Sequence, residues 1–289
     1  AIKLIHKWQE RHQHHKTGIV VVKNGFHGRT LGALRLTRQP AVYQNFPTIA
    51  IPVYEVTPND QTELEQICSQ YQPAAILVEP ILGSGGVQTL QPEYLKQIET
   101  LCRKQQMLFC VDEIQTGVGR TGKLFAYQHN QLQPDLILFA KGIGGGLPLG
   151  GMIVAEPHTT LFQPGDHGST FAPSPLSAAL GNAVLEVLLD DGQLEAGKEV
   201  ASYLWNQLTQ MIQAHPSFFA GMDGKGMMIG LRTHFSPKKA KDVQARLLQK
   251  GILIDVTAKT ILRLLPPLTL TKEEVDHFVH QLESVVCEK

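Results

Sequence analysis

Short apolar runs rich in β-favouring residues alternate with helical patterns along most of the chain. Examples are residues 18–23, 74–79, 107–112 and 136–140. Strands that are apolar at nearly every position are typical of a parallel sheet with helices on both faces, because neither face of such a strand meets water. The pattern therefore predicts an α/β fold with a mostly parallel sheet.

The alternation changes near residue 191. Beyond it come a long helical pattern over 194–215, a Gly-rich segment over 221–230 and two short strand patterns, 252–256 and 261–265. A chain of 289 residues is long enough for two domains. We predict a large domain over 1–191 and a smaller α+β domain over 192–289. Because the first residues already have the pattern of the middle of a helix, we expect the large domain to lack its N-terminal part.

The composition argues against several classes of protein. Hydrophobic residues make up 43% and charged residues 18% of the chain, which excludes a disordered protein. The 26 basic and 26 acidic residues balance, so nothing attracts the chain as a whole to nucleic acid or to an anionic membrane. Four cysteines without paired spacing indicate buried thiols in a reducing compartment, the cytoplasm.

A transmembrane helix and a metal site are not expected either. The sequence has no apolar run of about 18 residues, the length a spanning helix needs. His6, His12, His14 and His15 cluster near the start, but they have no matching carboxylates. We interpret them as a solvated helix end and predict no metal.

The segment 117–123 carries two patterns associated with nucleotide binding. It fits G-x-x-x-x-G-K, but Leu124 stands where a P-loop needs Ser or Thr for Mg²⁺. Its glycines also fit G-x-G-x-x-G, but the residues that follow are too few and too weakly periodic for the helix that this motif opens. We predict a Gly-rich turn here, and P-loop nucleotide binding stays as an alternative.

Asp112 and Lys141 stand at the ends of consecutive predicted strands. The active sites of parallel sheets lie at such carboxyl ends. A pyridoxal phosphate enzyme needs a lysine to hold the cofactor as a Schiff base and an acid to keep its ring nitrogen protonated. Either residue alone could be an ordinary strand-end residue. Together they predict pyridoxal phosphate chemistry with Lys141 and Asp112 as catalytic residues.

Five motifs, in order along essentially the whole chain, resemble one enzyme family. Those of residues 111–122, 134–150 and 165–171 resemble the class III (ω-amino) aminotransferases, pyridoxal phosphate enzymes of fold type I. They read V-D-E-I-Q-T-G-V-G-R-T-G, P-D-L-I-L-F-A-K-G-I-G-G-G-L-P-L-G and G-D-H-G-S-T-F. N-G-F-H-G-R-T-L-G-A-L and L-R-L-L-P-P-L resemble the acetylornithine and ornithine aminotransferase branch.

The resemblance implies roles around the cofactor ring. Lys141 would form the Schiff base and later move the proton between the substrate and cofactor carbons. Asp112 would pair with the ring nitrogen. Phe26 would stack on one face of the ring, Ile114 would pack on the other, and Gln115 would approach the ring hydroxyl.

The resemblance also implies a dimer and sites for substrate carboxylates. Thr170 would reach the cofactor phosphate of the neighbouring subunit, which implies a homodimer with shared active sites. Arg29 and Arg263 would bind carboxylates, for which the guanidinium fork is suited. Without the resemblance, Thr170 could be a helix cap and the arginines could form surface ion pairs. Glu79 matches an acid near the site, with no role assigned.

The chain departs from the branch at two places. Residues 79–86 read E-P-I-L-G-S-G-G, so that Leu82 replaces a glutamine and Ser84 a glutamate of the family pattern. That glutamate is the acid implied to pair with Arg263, and we expect its loss to leave Arg263 unpaired. Residues 171–176 also depart from the usual F-G-G-N-P-L, close to the implied subunit contact.

The leading hypothesis is transamination from an ω-amino donor, with an acetylornithine-like donor favoured, to 2-oxoglutarate. The partners would be small molecules and a second copy of the chain, not nucleic acid or membrane. The departures leave two alternatives within the fold. One is a class III aminotransferase of another amine, of ornithine, 4-aminobutyrate or diamine type, and the other is a catalytically degenerate member.

Overall fold

The computed structural model of the chain describes residues 1–12 and 15–288, so that His14 of the histidine cluster lies outside the described residues. The chain forms two compact units. The first comprises Ala1–Gly83, Leu90–Val118 and Phe125–Leu185. The second comprises Ser84–Thr89, Gly119–Leu124 and Glu186–Lys289. The division thus falls six residues before the boundary predicted after residue 191, and two short earlier segments group with the second unit. The two domains as folding units stay a prediction.

The first unit contains a six-stranded sheet with the order β2-β1-β3-β6-β7-β8. Its strands are β1 (Ile19–Val22), β2 (Val53–Val56), β3 (Ala75–Val78), β6 (Leu108–Asp112), β7 (Leu136–Phe139) and β8 (Gly151–Val154). Neighbouring strands are parallel except for β8, which runs antiparallel to β7. The short strand β4 (Ile81–Leu82) lies outside this sheet. The prediction of a mostly parallel sheet is confirmed.

Both faces of the sheet are covered, which explains the continuous apolar runs. Val20 and Val22 pack in one cluster with Tyr94 of a following helix, whereas Ile19 and Val21 pack in a second cluster. Successive side chains of a strand point to opposite faces, so a strand between two apolar layers is apolar at every position. All four residues of β1 are buried for this reason.

The helices of the first unit are α1 (Ile2–His12), α2 (Leu31–Leu36), α3 (Pro40–Tyr43), α4 (Gln61–Tyr71), α5 (Pro92–Lys104) and α6 (Pro175–Leu189), which continues into the second unit. Helix α4 matches the helical pattern that residues 61–71 show in the sequence. It begins where the Asp60 side chain accepts a hydrogen bond from the backbone N–H of Glu63, an ordinary N-cap. The short helices α2 and α3 were not predicted.

The second unit contains an antiparallel sheet with the order β11-β12-β10-β9. Its strands are β9 (Phe219–Lys225), β10 (Met228–Thr233), β11 (Asp255–Thr257) and β12 (Ile261–Leu264), and the two-residue strand β5 (Gln88–Thr89) belongs to the same unit. Its helices are α7 (Gln193–Ala214), α8 (Pro237–Gln249) and α9 (Lys272–Cys287). The Gly-rich segment, which was not predicted as strand, forms the β9–β10 hairpin. A Cβ at Gly224 would lie 2.0 Å from the carbonyl oxygen of Met228, so glycine is required there.

The described parts of the chain bear on two expectations from composition. No helix within residues 1–12 and 15–288 has the length and apolar character needed to cross a bilayer. The thiols of Cys68, Cys102 and Cys110 are buried as expected, and burial raises the pKa of Cys68 to about 12. Cys287, at the end of α9, is exposed instead.

Candidate active site

Polar and aromatic residues follow several parallel strands of the first unit at the same edge of the sheet. Phe26 and His27 come shortly after β1, and Glu79 directly follows β3. Asp112 is the last residue of β6, and Lys141 comes two residues after β7. Because β1, β3, β6 and β7 are parallel, their carboxyl ends meet at one edge. The strand that ends at Asp112 and the strand that ends two residues before Lys141 are therefore neighbours in the sheet.

Asp112 is held in a buried hydrogen-bonded position. Its Oδ2 lies 2.9 Å from Nδ1 of His27, and its Oδ1 accepts a hydrogen bond of 3.1 Å from the backbone N–H of Ile114. Burial alone would lower the pKa of His27, but the hydrogen bond and the charge of Asp112 outweigh it, and the pKa is raised. The arrangement thus favours a protonated imidazole beside a carboxylate whose position is fixed.

His27 was not among the residues singled out from the sequence. The signal was present, because His27 stands in the F-H-G-R-T motif after a buried strand. A histidine in a loop is usually solvated, and the sequence does not reveal that its partner lies 85 residues further along the chain.

Glu79 supports the loop that carries Phe26. Its Oε1 accepts a hydrogen bond of 2.6 Å from the backbone N–H of Phe26, and its Oε2 accepts one of 3.2 Å from the backbone N–H of Gly83. Burial raises the pKa of Glu79 to about 7, with the nearby His27 acting in the opposite direction. Glu79, to which the sequence assigned no role, therefore fixes the backbone at Phe26.

Lys141 has an unusual backbone conformation. Its φ is +54°, and it begins a short 3₁₀ helix, Lys141–Gly144. A left-handed conformation costs a residue with a Cβ about 1–2 kcal/mol, and such strain is concentrated at functional positions. The Lys141 residue is exposed. The strand end therefore places an exposed lysine at the edge where Asp112 is buried.

The other residues predicted around the cofactor differ in burial. Phe26, Ile114 and Gln115 are half-buried beside the sheet edge. Arg29 is exposed, and its guanidinium carbon lies 5.8 Å from the centre of the Phe26 ring. Thr170 is exposed in the segment before α6.

The start of α6 bears on the alternative role of Thr170 as a helix cap. The hydroxyl of Ser174 accepts a hydrogen bond of 3.3 Å from the backbone N–H of Ser177. A side-chain oxygen that accepts a hydrogen bond from the backbone N–H three residues further along has the geometry of an N-cap. Ser174 therefore occupies the position that the alternative gave to Thr170.

Arg263 lies on β12 in the second unit, directly opposite Asp255 of β11. Its guanidinium donates a hydrogen bond to Oδ2 of Asp255. The expectation that Ser84 would leave Arg263 unpaired is therefore wrong. A strand pairing that is not visible in the sequence supplies a carboxylate from another position.

The segment 117–123 does not open an α-helix. It consists of turns and bends, and a short 3₁₀ helix, Ala126–Asn130, follows it. Gly119 and Gly122 have φ values of +83° and +88°, which glycine adopts without strain. The predicted Gly-rich turn is confirmed, and the helix that both nucleotide motifs require is not there.

The side chains at this edge fit the ring of pyridoxal phosphate. A buried carboxylate, Asp112, suits a protonated ring nitrogen, and the amine of Lys141 suits the cofactor's aldehyde carbon. Phe26 offers an aromatic face, held by the hydrogen bond from its backbone to Glu79. The chemistry of this set of groups thus matches what the cofactor needs.

Comparisons with known proteins agree with this fit. A family model described as aminotransferase class-III matches residues 1–286. Acetylornithine aminotransferase of Caldanaerobacter subterraneus subsp. tengcongensis is 38% identical over 294 aligned residues, which cover 100% of this chain and 72% of that protein. Ornithine aminotransferase 1 of Staphylococcus aureus is 37% identical over 291 residues, covering 99% of this chain and 72% of the relative.

A similar solved structure is that of ornithine aminotransferase from Toxoplasma gondii, in which the active site is partially occupied by PLP. It superposes with a TM-score of 0.91 at 28% identity, and the match covers 98% of this chain and 68% of that one. The similarity therefore extends over the whole chain, in sequence and in fold.

Proposed function

Since the chain belongs to the class III aminotransferases, we propose that it moves the amino group of an acetylornithine-like ω-amino donor to 2-oxoglutarate. The chain is a PLP-dependent aminotransferase, and this proposal specifies its substrates. The observation that carries the chemistry is the placement of Asp112 and Lys141 at the carboxyl ends of neighbouring parallel strands. The names of the relatives support the donor, since they include both acetylornithine and ornithine aminotransferases.

The residues of the sheet edge would divide the work of binding and proton transfer. When bound, PLP supplies an electron sink for the negative charge that develops on the substrate carbon. Lys141 would hold the cofactor and, once released, move a proton with its Nζ to and from that carbon. Asp112 would keep a proton on the ring nitrogen, and His27 would keep Asp112 oriented.

Three further residues would fix the position of the ring. Phe26 would cover one face and Ile114 the other, and Gln115 would approach the ring hydroxyl. The backbone of Phe26 is bonded to buried Glu79, and that of Ile114 to Asp112. A ring between two anchored side chains would present one fixed geometry to the substrate, which favours reaction.

The substrate carboxylates would be bound by Arg29 and Arg263. A planar guanidinium can form two parallel hydrogen bonds to one carboxylate. Arg263 already forms an ion pair with a carboxylate, that of Asp255. This behaviour supports a carboxylate as the natural ligand of Arg263.

The active unit would be a homodimer in which Thr170 binds the cofactor phosphate of the neighbouring subunit. Two apolar side chains that follow Thr170, Phe171 and Leu176, are 88% and 70% exposed. Large apolar side chains exposed in one segment are typical of an interaction surface. A cytoplasmic location is proposed from the buried thiols of three of the cysteines.

A panel of amine donors tests the proposal. With 2-oxoglutarate as acceptor, N-acetylornithine should give a kcat/KM at least about tenfold above ornithine, 4-aminobutyrate and a diamine, a difference of about 1.4 kcal/mol in transition-state binding. Glutamate formation is the measurement. A preference for another of these amines would correct the donor. An enzyme that binds PLP but converts none of them would be a degenerate member.

A further inference from the structure

We propose that Asp255 is a specificity-determining residue that competes with the substrate carboxylate for Arg263. The inference rests on the proposed role of Arg263 in carboxylate binding. Asp255 would neutralise the guanidinium while no substrate carboxylate occupies it, and it would move aside when one arrives.

The two side chains are paired across neighbouring strands. The Cα atoms of Asp255 and Arg263 are register partners of β11 and β12. One carboxylate oxygen of Asp255, Oδ1, accepts a hydrogen bond of 2.8 Å from the backbone N–H of Val256, and the other, Oδ2, faces the guanidinium. The carboxylate is therefore already aimed at Arg263 by local bonding.

The exposure of the two partners differs in a way that suits competition. The side chain of Arg263 is 16% exposed, and that of Asp255 is 47% exposed. The guanidinium of Arg263 is thus mostly buried, whereas the carboxylate of Asp255 is in contact with water. If a substrate carboxylate takes the guanidinium, the Asp255 carboxylate can be solvated without leaving a buried charge unpaired.

The backbone around Asp255 can stay in place during such an exchange. Strand β11 is an edge strand, so the side chain does not face a second neighbouring strand of the sheet. Two residues further on, the hydroxyl of Thr257 donates a hydrogen bond of 2.7 Å to the carbonyl oxygen of Ser84. This bond anchors the end of β11, so that only the Asp255 side chain needs to turn.

Ser84 explains why an acid is useful at Asp255. The segment that contains Ser84 touches β11 through Thr257, but Ser84 itself carries a hydroxyl and cannot neutralise a guanidinium. A donor whose bound part lacks a carboxylate would otherwise meet the guanidinium without the charge of Asp255 beside it. With Asp255 in place, one site can accept a neutral part of a donor and then a carboxylate of the acceptor.

Binding of glutarate, a dicarboxylate that cannot be transaminated, tests the proposal in the PLP-loaded enzyme. In Asp255→Asn the competitor is lost, and titration calorimetry should give a Kd about two- to fivefold lower, the size expected for an opposite-charge cross-strand pair. The KM for 2-oxoglutarate should fall by a similar factor, and kcat should change less. In an Arg263→Gln background the same substitution should have no effect.

Asp223→Asn is the matched control. Asp223 also pairs with an arginine, Arg232, across two strands of the same sheet, at 2.7 Å. The Asp223→Asn substitution should leave the Kd for glutarate unchanged. An unchanged Kd in a folded Asp255→Asn protein, or an equal change in the control, would overturn the proposal. Failure of the proposed function is a separate result, since it would appear as a lack of bound PLP or of transamination in the wild type.

Discussion

Nδ1 of His27 lies 2.9 Å from Oδ2 of Asp112, and the two side chains are only 3% and 4% exposed. His27 follows β1, and Asp112 is the last residue of β6. Both strands belong to the six-stranded sheet. The pair fixes which way the carboxylate points. A residue that must hold a proton on the ring nitrogen of PLP needs such a fixed position, because misplacement weakens a preorganised charge interaction.

His27→Leu should reduce kcat roughly 10–100-fold, by analogy with the range seen when a residue that orients a metal ligand through a hydrogen bond is removed. The buried carboxylate would lose its imidazole donor and could turn. Steady-state kinetics and the pH dependence of the absorption of bound PLP are the measurements.

His27→Asn is the control for this effect, because an amide N–H can replace part of the lost hydrogen bond. It should recover a measurable share of kcat and of the wild-type spectrum. If the His27→Leu and His27→Asn variants were both as active as the wild type, His27 would have no positioning role.

The free energy of unfolding should fall as the pH rises from 4.5 to about 7, because of the raised pKa of Glu79. Burial raises the pKa of this carboxyl from 4.5 to about 7. The unfolded chain therefore releases the proton at lower pH than the folded chain, and the folded state loses up to about 3 kcal/mol across the interval. Urea unfolding at several pH values measures this slope.

Glu79→Gln should flatten the slope between pH 4.5 and 6.5. The amide does not titrate, so its own contribution to stability is the same at every pH. His27 has a raised pKa as well, so its stabilising charge is lost only above 6.5 and does not obscure the lower interval. A variant with the same slope as the wild type would contradict the assignment of the buried proton to Glu79.

Phe171→Asp should convert the proposed dimer to monomer. A carboxylate in place of an aromatic ring that is 88% exposed would have to be desolvated at the interface. Light scattering after size-exclusion chromatography gives the mass, and PLP affinity should fall together with it because Thr170 would no longer reach the neighbouring cofactor. Phe46→Asp, at another exposed phenylalanine of the same unit, should keep the mass of the dimer.

Gly224→Ala should destabilise the second unit by about 3 kcal/mol. Its φ is +120°, and a Cβ would lie 2.0 Å from the carbonyl oxygen of Met228, so strain and overlap add. Gly251→Ala provides the comparison, because Gly251 has a φ of +79° but no atom within 4 Å of its Cβ position. It should cost only about 1 kcal/mol. Equal losses in urea unfolding would refute the steric explanation.

The parts of the fold that follow from local sequence were predicted. The buried strands were visible as apolar runs, and α4 was visible as a helical pattern over residues 61–71. The β9–β10 hairpin was missed because its glycines, which permit positive φ and close approach at Gly224, also weaken the strand pattern.

The site shows the same division. Asp112 and Lys141 could be predicted because each ends an apolar run of its own. The partners His27 and Asp255 could not, because each depends on which distant segments the fold brings together. His27 meets Asp112 across the sheet, and Asp255 meets Arg263 only through the pairing of β11 with β12.

The identity of the lysine that holds PLP tests the central claim most directly. The purified protein is incubated with PLP, reduced with borohydride and digested, and mass spectrometry locates the phosphopyridoxyl group. We expect the label on Lys141 in the wild type, with no label and no absorption band of bound cofactor in Lys141→Ala. A label on another lysine, such as Lys123, or a wild-type protein that takes up no PLP, would contradict the account.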